Sequence, residues 1–177
     1  VLLGGTSEEL NHPLQPGNFR PLKNVKKELE AIQPLFKNDL LLDEQFTYPN
    51  LREKLDNNTY TVVHLASHGE FSSDPERTFT MLSQGNGAGD TKAALFAKEI
   101  DALRRSSSDR VEGIKLLVLS ACTTATGDKR ATLGMAGLTV RAGSRSTLAT
   151  LWPVDDASAA ALMERFYQEL STDKTLS

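Results

Sequence analysis

The chain is poor in the residues that build stapled or metal-held folds. It has one cysteine, Cys122, and three histidines, His12, His64 and His68, among 177 residues. A lone cysteine forms no intrachain disulfide, so a disulfide-framed secreted fold is excluded and a reducing, cytoplasmic setting is expected. A cysteine-rich zinc site is excluded on the same count. No apolar run approaches the ~20 residues that cross a bilayer. The opening Val1-Leu2-Leu3-Gly4-Gly5 is too short and uncharged for a signal peptide. A start at Val1 rather than Met reads as a fragment or a processed chain. Neither sign of charge dominates: 20 basic and 23 acidic side chains leave a net charge of −3. That balance offers no basic footprint for nucleic acid or an anionic membrane surface.

Hydrophobic residues make up 39% and charged residues 24%, enough for a sizeable core under a solvated surface. The length suits one domain spanning residues 1–177, and neither an internal repeat nor a second core is visible. Strand-like and helix-like segments alternate. Val1–Leu3 reads as a short strand ending at Gly4-Gly5. Val25, Leu29, Ile32 and Phe36 form a helical stripe behind Asn24, a plausible N-cap. Leu40-Leu41-Leu42 reads as a short buried strand. Thr47 and Pro49 open a second helix that turns Leu51 and Leu55 inward.

The β-branched run Tyr60–Ser67 predicts a central strand stopping at His68-Gly69. Residues 70–92 read as a polar, mobile region with a short strand at Phe79–Leu82. Phe96, Ile100 and Leu103 mark a third helix, and Arg104–Arg110 a serine-rich connector. Lys115–Ala121 is the strongest buried-strand pattern, ending at Cys122. A polar loop to Thr132 leads to a helix over Leu133–Ala142, and Ser146–Trp152 is a further strand. A last helix follows Asp155-Asp156, with Ala159, Leu162, Met163, Phe166, Tyr167 and Leu170 as its apolar stripe. The alternation predicts an α/β fold, a mostly parallel sheet flanked by helices.

Two residues that carry chemistry stand just past the ends of predicted central strands: His68 and Cys122. Open parallel sheets build their sites at the carboxyl ends of strands. A thiol beside an imidazole ionises near neutral pH, attacks a carbonyl, and leaves the imidazolium to protonate the departing amine. Gly69 has no side chain to block its N–H, so Gly69 and Cys122 form a candidate oxyanion hole. Each residue alone has a plainer reading, Cys122 as a small buried hydrophobe and His68 as a turn residue. Their order and shared placement favour catalysis.

His64 precedes His68 by one helical turn's spacing, but Leu65 replaces the glutamate of a zinc-protease helix and the segment is strand-like. A ring hydrogen-bonded within the sheet is the expected role. Gly85-Asn86-Gly87-Ala88-Gly89 lacks the Lys-Ser/Thr ending of a phosphate loop and reads as a linker.

Three blocks of sequence resemble a known family. Val63-His64-Leu65-Ala66-Ser67-His68-Gly69 resembles the first motif of the CHAT domain family, caspase-like peptidases often attached to TPR repeats. Leu117–Thr124, around Cys122, resembles its second motif. Ala142-Gly143, Leu151-Trp152-Pro153-Val154-Asp155-Asp156, Met163 and Phe166-Tyr167 resemble the third. Lys26-Lys27-Glu28-Leu29 suits the family's N-terminal part.

The resemblance spans roughly Leu22–Leu170. It implies a caspase–hemoglobinase fold, a three-layer sandwich with a His68–Cys122 dyad that cleaves protein or peptide substrates. It implies no organic cofactor and no required metal. A TPR or other regulatory domain would lie outside this chain. Ser120, two before the cysteine, stands where some relatives carry an aspartate lining the P1 pocket, so preference for Arg or Lys does not follow automatically. Asp155 and Asp156 are an alternative acidic wall, although one of them is expected to cap the last helix while the other faces the cleft. Glu70, Asp74 and Glu76 read as solvated loop charges. Lys129-Arg130 and Arg104-Arg105 are basic loop steps that a base-preferring pocket would cut in the chain itself, or else ordinary soluble loops. Two rival readings stand beside the peptidase: a catalytically silent interaction module, and a hydrolase of small esters or amides.

Overall fold

The computed structural model describes residues 1–72, 74, 76–85, 92–97, 99, 114–120, 144–150 and 154–172. Within them, five strands pair side by side in one parallel sheet: β1 (Leu2–Gly5), β4 (Asp39–Leu42), β5 (Val62–Ala66), β9 (Leu116–Ser120) and β10 (Ser146–Ala149). Their order is β10-β9-β5-β1-β4. The chain leaving β1 leads to β4, whereas the chain leaving β5 leads to β9 on the opposite side. The switch in direction therefore lies between β1 and β5, where open α/β sheets form a crevice beyond their carboxyl ends.

Both faces of the sheet are covered. Helix α1 (Val25–Ile32) and helix α3 (Asp156–Thr172) lie on one face. There Val25, Leu29, Ile32, Met163 and Tyr167 pack with Leu3, Val62, Ala66 and Val118. Each such buried aliphatic side chain contributes roughly 1.5–3 kcal/mol. Pro34 explains why α1 gives way after Ile32 to a single 3-10 turn over Gln33–Leu35. The opposite face takes helix α2 (Tyr48–Asn57), whose Leu51 packs with Leu2, Phe46, Val63, Leu65, Leu117 and Leu119. Thr47 caps α2, accepting from the Asn50 N–H at 3.5 Å.

Two small sheets sit at the carboxyl end. The hairpin of β2 (Leu10–Asn11) and β3 (Asn18–Phe19) turns through Gly17, at φ +133°. Strands β6 (Gly69–Glu70), β7 (Phe79–Met81) and β8 (Ala94–Phe96) form an antiparallel sheet in that order.

Several expectations are corrected. The stretch after His68 is not a mobile polar loop throughout, because Phe71, Phe79, Met81 and Leu82 are buried and carry the small sheet. Phe96 belongs to a strand rather than a helix. Leu162 is 55% exposed, and Ala160 faces inward in its stead. Gly4 and Gly5 form the last two residues of β1, so the strand ends with them as expected. A Cβ on Gly4 would stand 2.5 Å from the Phe46 ring, and one on Gly5 would stand 2.6 Å from the Ala66 carbonyl. In β4, only Leu41 of the three leucines is fully buried, since β4 ends the sheet. The expected helix over Leu133–Ala142, Trp152, and the basic steps at Arg104-Arg105 and Lys129-Arg130 lie outside the described residues. Among the described residues, no helix is long and apolar enough to cross a membrane.

Candidate active site

His68 leaves the sheet two residues beyond Ala66, the last residue of β5. Ala66 pairs with Ser120, the last residue of β9, and the Ser67 N–H donates to the Ser120 carbonyl at 3.1 Å. Cys122 lies outside the described residues, as does its backbone N–H.

The His68 ring is buried, with 7% of the residue exposed. Its Nε2 lies 2.6 Å from the Arg20 carbonyl oxygen. A carbonyl only accepts, so Nε2 carries the hydrogen, and in the neutral ring Nδ1 is left as the proton acceptor. Burial pushes the His68 pKa below its ordinary value, while the Arg20 carbonyl and the negative charge of Asp156 pull it partly back. Phe19 stacks on the ring, with centroids 4.6 Å apart and planes 17° from parallel.

Gly69 pairs with Thr80, and the Met81 N–H donates to the His68 carbonyl at 2.8 Å. In an antiparallel ladder, such bonds alternate. Gly69 therefore occupies a non-hydrogen-bonded position, and its N–H points away from β7 toward the outer edge of β6.

The paired aspartates divide as follows. Asp155 caps α3: its Oδ2 accepts from the Ser158 N–H at 3.0 Å and from the Ser158 hydroxyl at 3.1 Å. Asp156 reaches across to the start of α1, where its Oδ2 accepts from the Asn24 N–H at 2.8 Å and from Asn24 Nδ2 at 2.9 Å. Asn24 thus holds the N-cap position of α1 without using its own side chain as the cap.

His64 is fully buried, but its partners come from the helices and not from the sheet. Nε2 lies 2.8 Å from Glu28 Oε1 and Nδ1 lies 3.1 Å from the Tyr167 hydroxyl. With both nitrogens engaged, the ring is a structural tie among α1, β5 and α3. Glu70 is no solvated loop charge either. It is buried in β6, with Arg77 Nη2 at 3.4 Å and His12 Nε2 at 3.6 Å. Asp74, by contrast, is exposed. Its Oδ1 accepts from the Glu76 N–H at 2.9 Å.

The sequence profile of the CHAT domain matches residues 2–177. The chain belongs to the CHAT domain family. That family is one of caspase-like peptidases, and the parallel sheet flanked by helices is the α/β arrangement consistent with its fold. No curated protein and no solved structure gives a significant match. In this CHAT domain, the residues around His68 that were not read from the sequence are Phe19 and Arg20. The only local signal was Pro16-Gly17, a turn dipeptide that announces a reversal but not what it will dock against.

Proposed function

We propose that the CHAT domain is a cysteine endopeptidase in which Cys122 is the nucleophile and His68 the proton carrier. One observation supports this above the others. His68 and Cys122 each follow, by two residues, the members of one rung of the sheet, Ala66 and Ser120. Two peptide units reach at most about 7 Å, which supports a shared rim as the meeting place of the two.

In this reading the Cys122 thiolate attacks the scissile carbonyl carbon, and the oxygen becomes an oxyanion held by the N–H groups of Gly69 and Cys122. The C–N bond then breaks as imidazolium Nδ1–H of His68 delivers its proton to the departing amine, leaving a thioester on Cys122. Neutral Nδ1 next takes a proton from water. The hydroxide displaces the thiolate, and the acid product leaves. The outward N–H of Gly69 supports its oxyanion role. The substrate is an extended segment of protein along the carboxyl edge of the sheet, partly paired through its backbone. Among the described residues, Asp156 is the acidic group whose charge acts on His68, which makes it the better of the two aspartates for a substrate contact. Its Asn24 bonds hold one oxygen only. The setting is cytoplasmic, with regulation by a TPR or similar domain outside this chain.

Labelling by a peptidyl electrophile tests the reading. Wild type should be modified at Cys122, and His68→Ala should slow the modification by about 100-fold, the scale of a positioned acid–base group. An inert thiol, or one indifferent to His68, would instead assign the domain to the silent interaction class. Turnover of small esters with none of unfolded protein would favour the small-molecule hydrolase.

A further inference from the structure

Hairpin β2–β3 belongs to none of the three blocks that carry the family resemblance, yet it touches His68 twice. Arg20, just after β3, takes the Nε2 hydrogen. Phe19, the last residue of β3, lies between two imidazoles. It is 4.6 Å from the His68 centroid on one side and 5.0 Å, at 21°, from that of His12 on the other.

A hydrogen bond at Nε2 and the covalent bond at Cβ define an axis but not a plane. The ring can still swing about that axis, and Nδ1, which lies off it, swings too. A flat partner on the ring face removes that freedom. Phe19 is itself immobilised, packed with Leu10, Phe79 and Met81 in a small separate core. The outer imidazole is held as well. His12 Nδ1 accepts from the Leu14 N–H at 3.1 Å, and the His12 ring meets Phe79 edge-on at 5.5 Å. His12 Nε2 lies 3.6 Å from Glu70, two residues beyond His68 itself. The brace therefore closes on the strand that directly follows His68.

We propose that Phe19 is a positioning residue for the reaction: the stack His12–Phe19–His68, anchored at Glu70, sets the plane of the His68 ring and hence the direction of Nδ1. The inference rests on the reading of His68 as proton carrier. The charged groups around the stack are Glu70 and Arg77 on the His12 side and Asp156 on the His68 side. All three remain in the variants below.

Nitrogen-15 NMR of the full chain tests it, since only three histidines need assigning. Phe19→Leu preserves most of the buried volume but offers no flat face. Its His68 should keep the Nε2–H tautomer that the Arg20 carbonyl selects but titrate closer to the ordinary 6.5, because water reaches the ring. Alkylation of Cys122 by iodoacetamide at neutral pH should slow by about tenfold. Phe19→Tyr, which restores a ring face, should return both readouts to within about twofold of wild type.

A folded Phe19→Leu with the wild-type midpoint would overturn the inference, as would a Phe19→Tyr as impaired as Phe19→Leu. The NMR result is independent of turnover. If alkylation of Cys122 ignores His68→Ala, the peptidase reading fails while the ring-plane measurement stands on its own.

Discussion

A group that must both accept and deliver a proton works best when its pKa lies near the working pH and its lone pair has a fixed direction. The surroundings of His68 fix which nitrogen carries that lone pair and shift its pKa downward. The Arg20 carbonyl selects the tautomer, and burial lowers the pKa against the opposing pull of Asp156. In Cys122→Ala, which removes the thiol from the titration, His68 should therefore have an NMR midpoint below 6.5. The sign for stability follows. Between the folded and unfolded midpoints, the unfolded chain binds the proton that the native state refuses, so stability falls as pH drops below about 6.5. The urea midpoint should decline less from pH 8 to pH 5.5 in His68→Gln than in wild type, and equal declines would show that His68 carries no such cost. His68 was readable from the sequence because a β-branched run halts at His-Gly. Phe19 and Arg20 were not, because a two-residue strand has no periodicity and its importance arises only where it docks.

The elements owe their form to local chemistry that tertiary packing then edits. Strand β1 carries two adjacent glycines, a poor strand composition by propensity alone. The reason is lateral crowding: Phe46 presses onto Gly4, while Ala66, Val25 and Leu29 press onto Gly5. Gly5→Ala should destabilise the domain by about 1–3 kcal/mol, the usual cost of overpacking, and lower the urea midpoint accordingly. An unchanged midpoint would mean that the β1–β5 spacing gives way without cost. Helix α3 shows the converse. Its start at Asp155-Asp156 was legible as a capping signal, but which aspartate caps depended on Asn24, 132 residues away in sequence, claiming the other. The apolar stripe of α3 likewise placed Leu162 inward by spacing, whereas the helix packs on a face rotated toward Ala160.

At the scale of the molecule, one buried cluster ties three elements together. Glu28 of α1 and Tyr167 of α3 both bind the ring of His64 in β5, across sequence separations of 36 and 103 residues. Burial and the nearby Glu28 charge raise the Tyr167 pKa far above the ordinary tyrosine value, so the hydroxyl stays protonated. Removing one partner of such a buried pair leaves the other unsatisfied. Glu28→Ala should cost about 3–5 kcal/mol and Tyr167→Phe about 1–3 kcal/mol, measured by urea unfolding. The double variant should lose less than the sum, because both act through one ring. Strict additivity would show that the three groups do not form a unit.

The one-dimensional chain was enough to determine the α/β class, the central strands, and the two strand ends from which His68 and Cys122 emerge. Those features are written in periodicity, β-branching and punctuation by glycine, all of which are local. The tertiary structure alone decided who surrounds His68: the carbonyl of Arg20, the ring of Phe19 and the charge of Asp156. It alone also sent the ring of His64 to helices rather than to neighbouring strands. Such partners are chosen by where whole elements dock, and docking follows the shape and burial of surfaces assembled from distant segments, which no local pattern encodes.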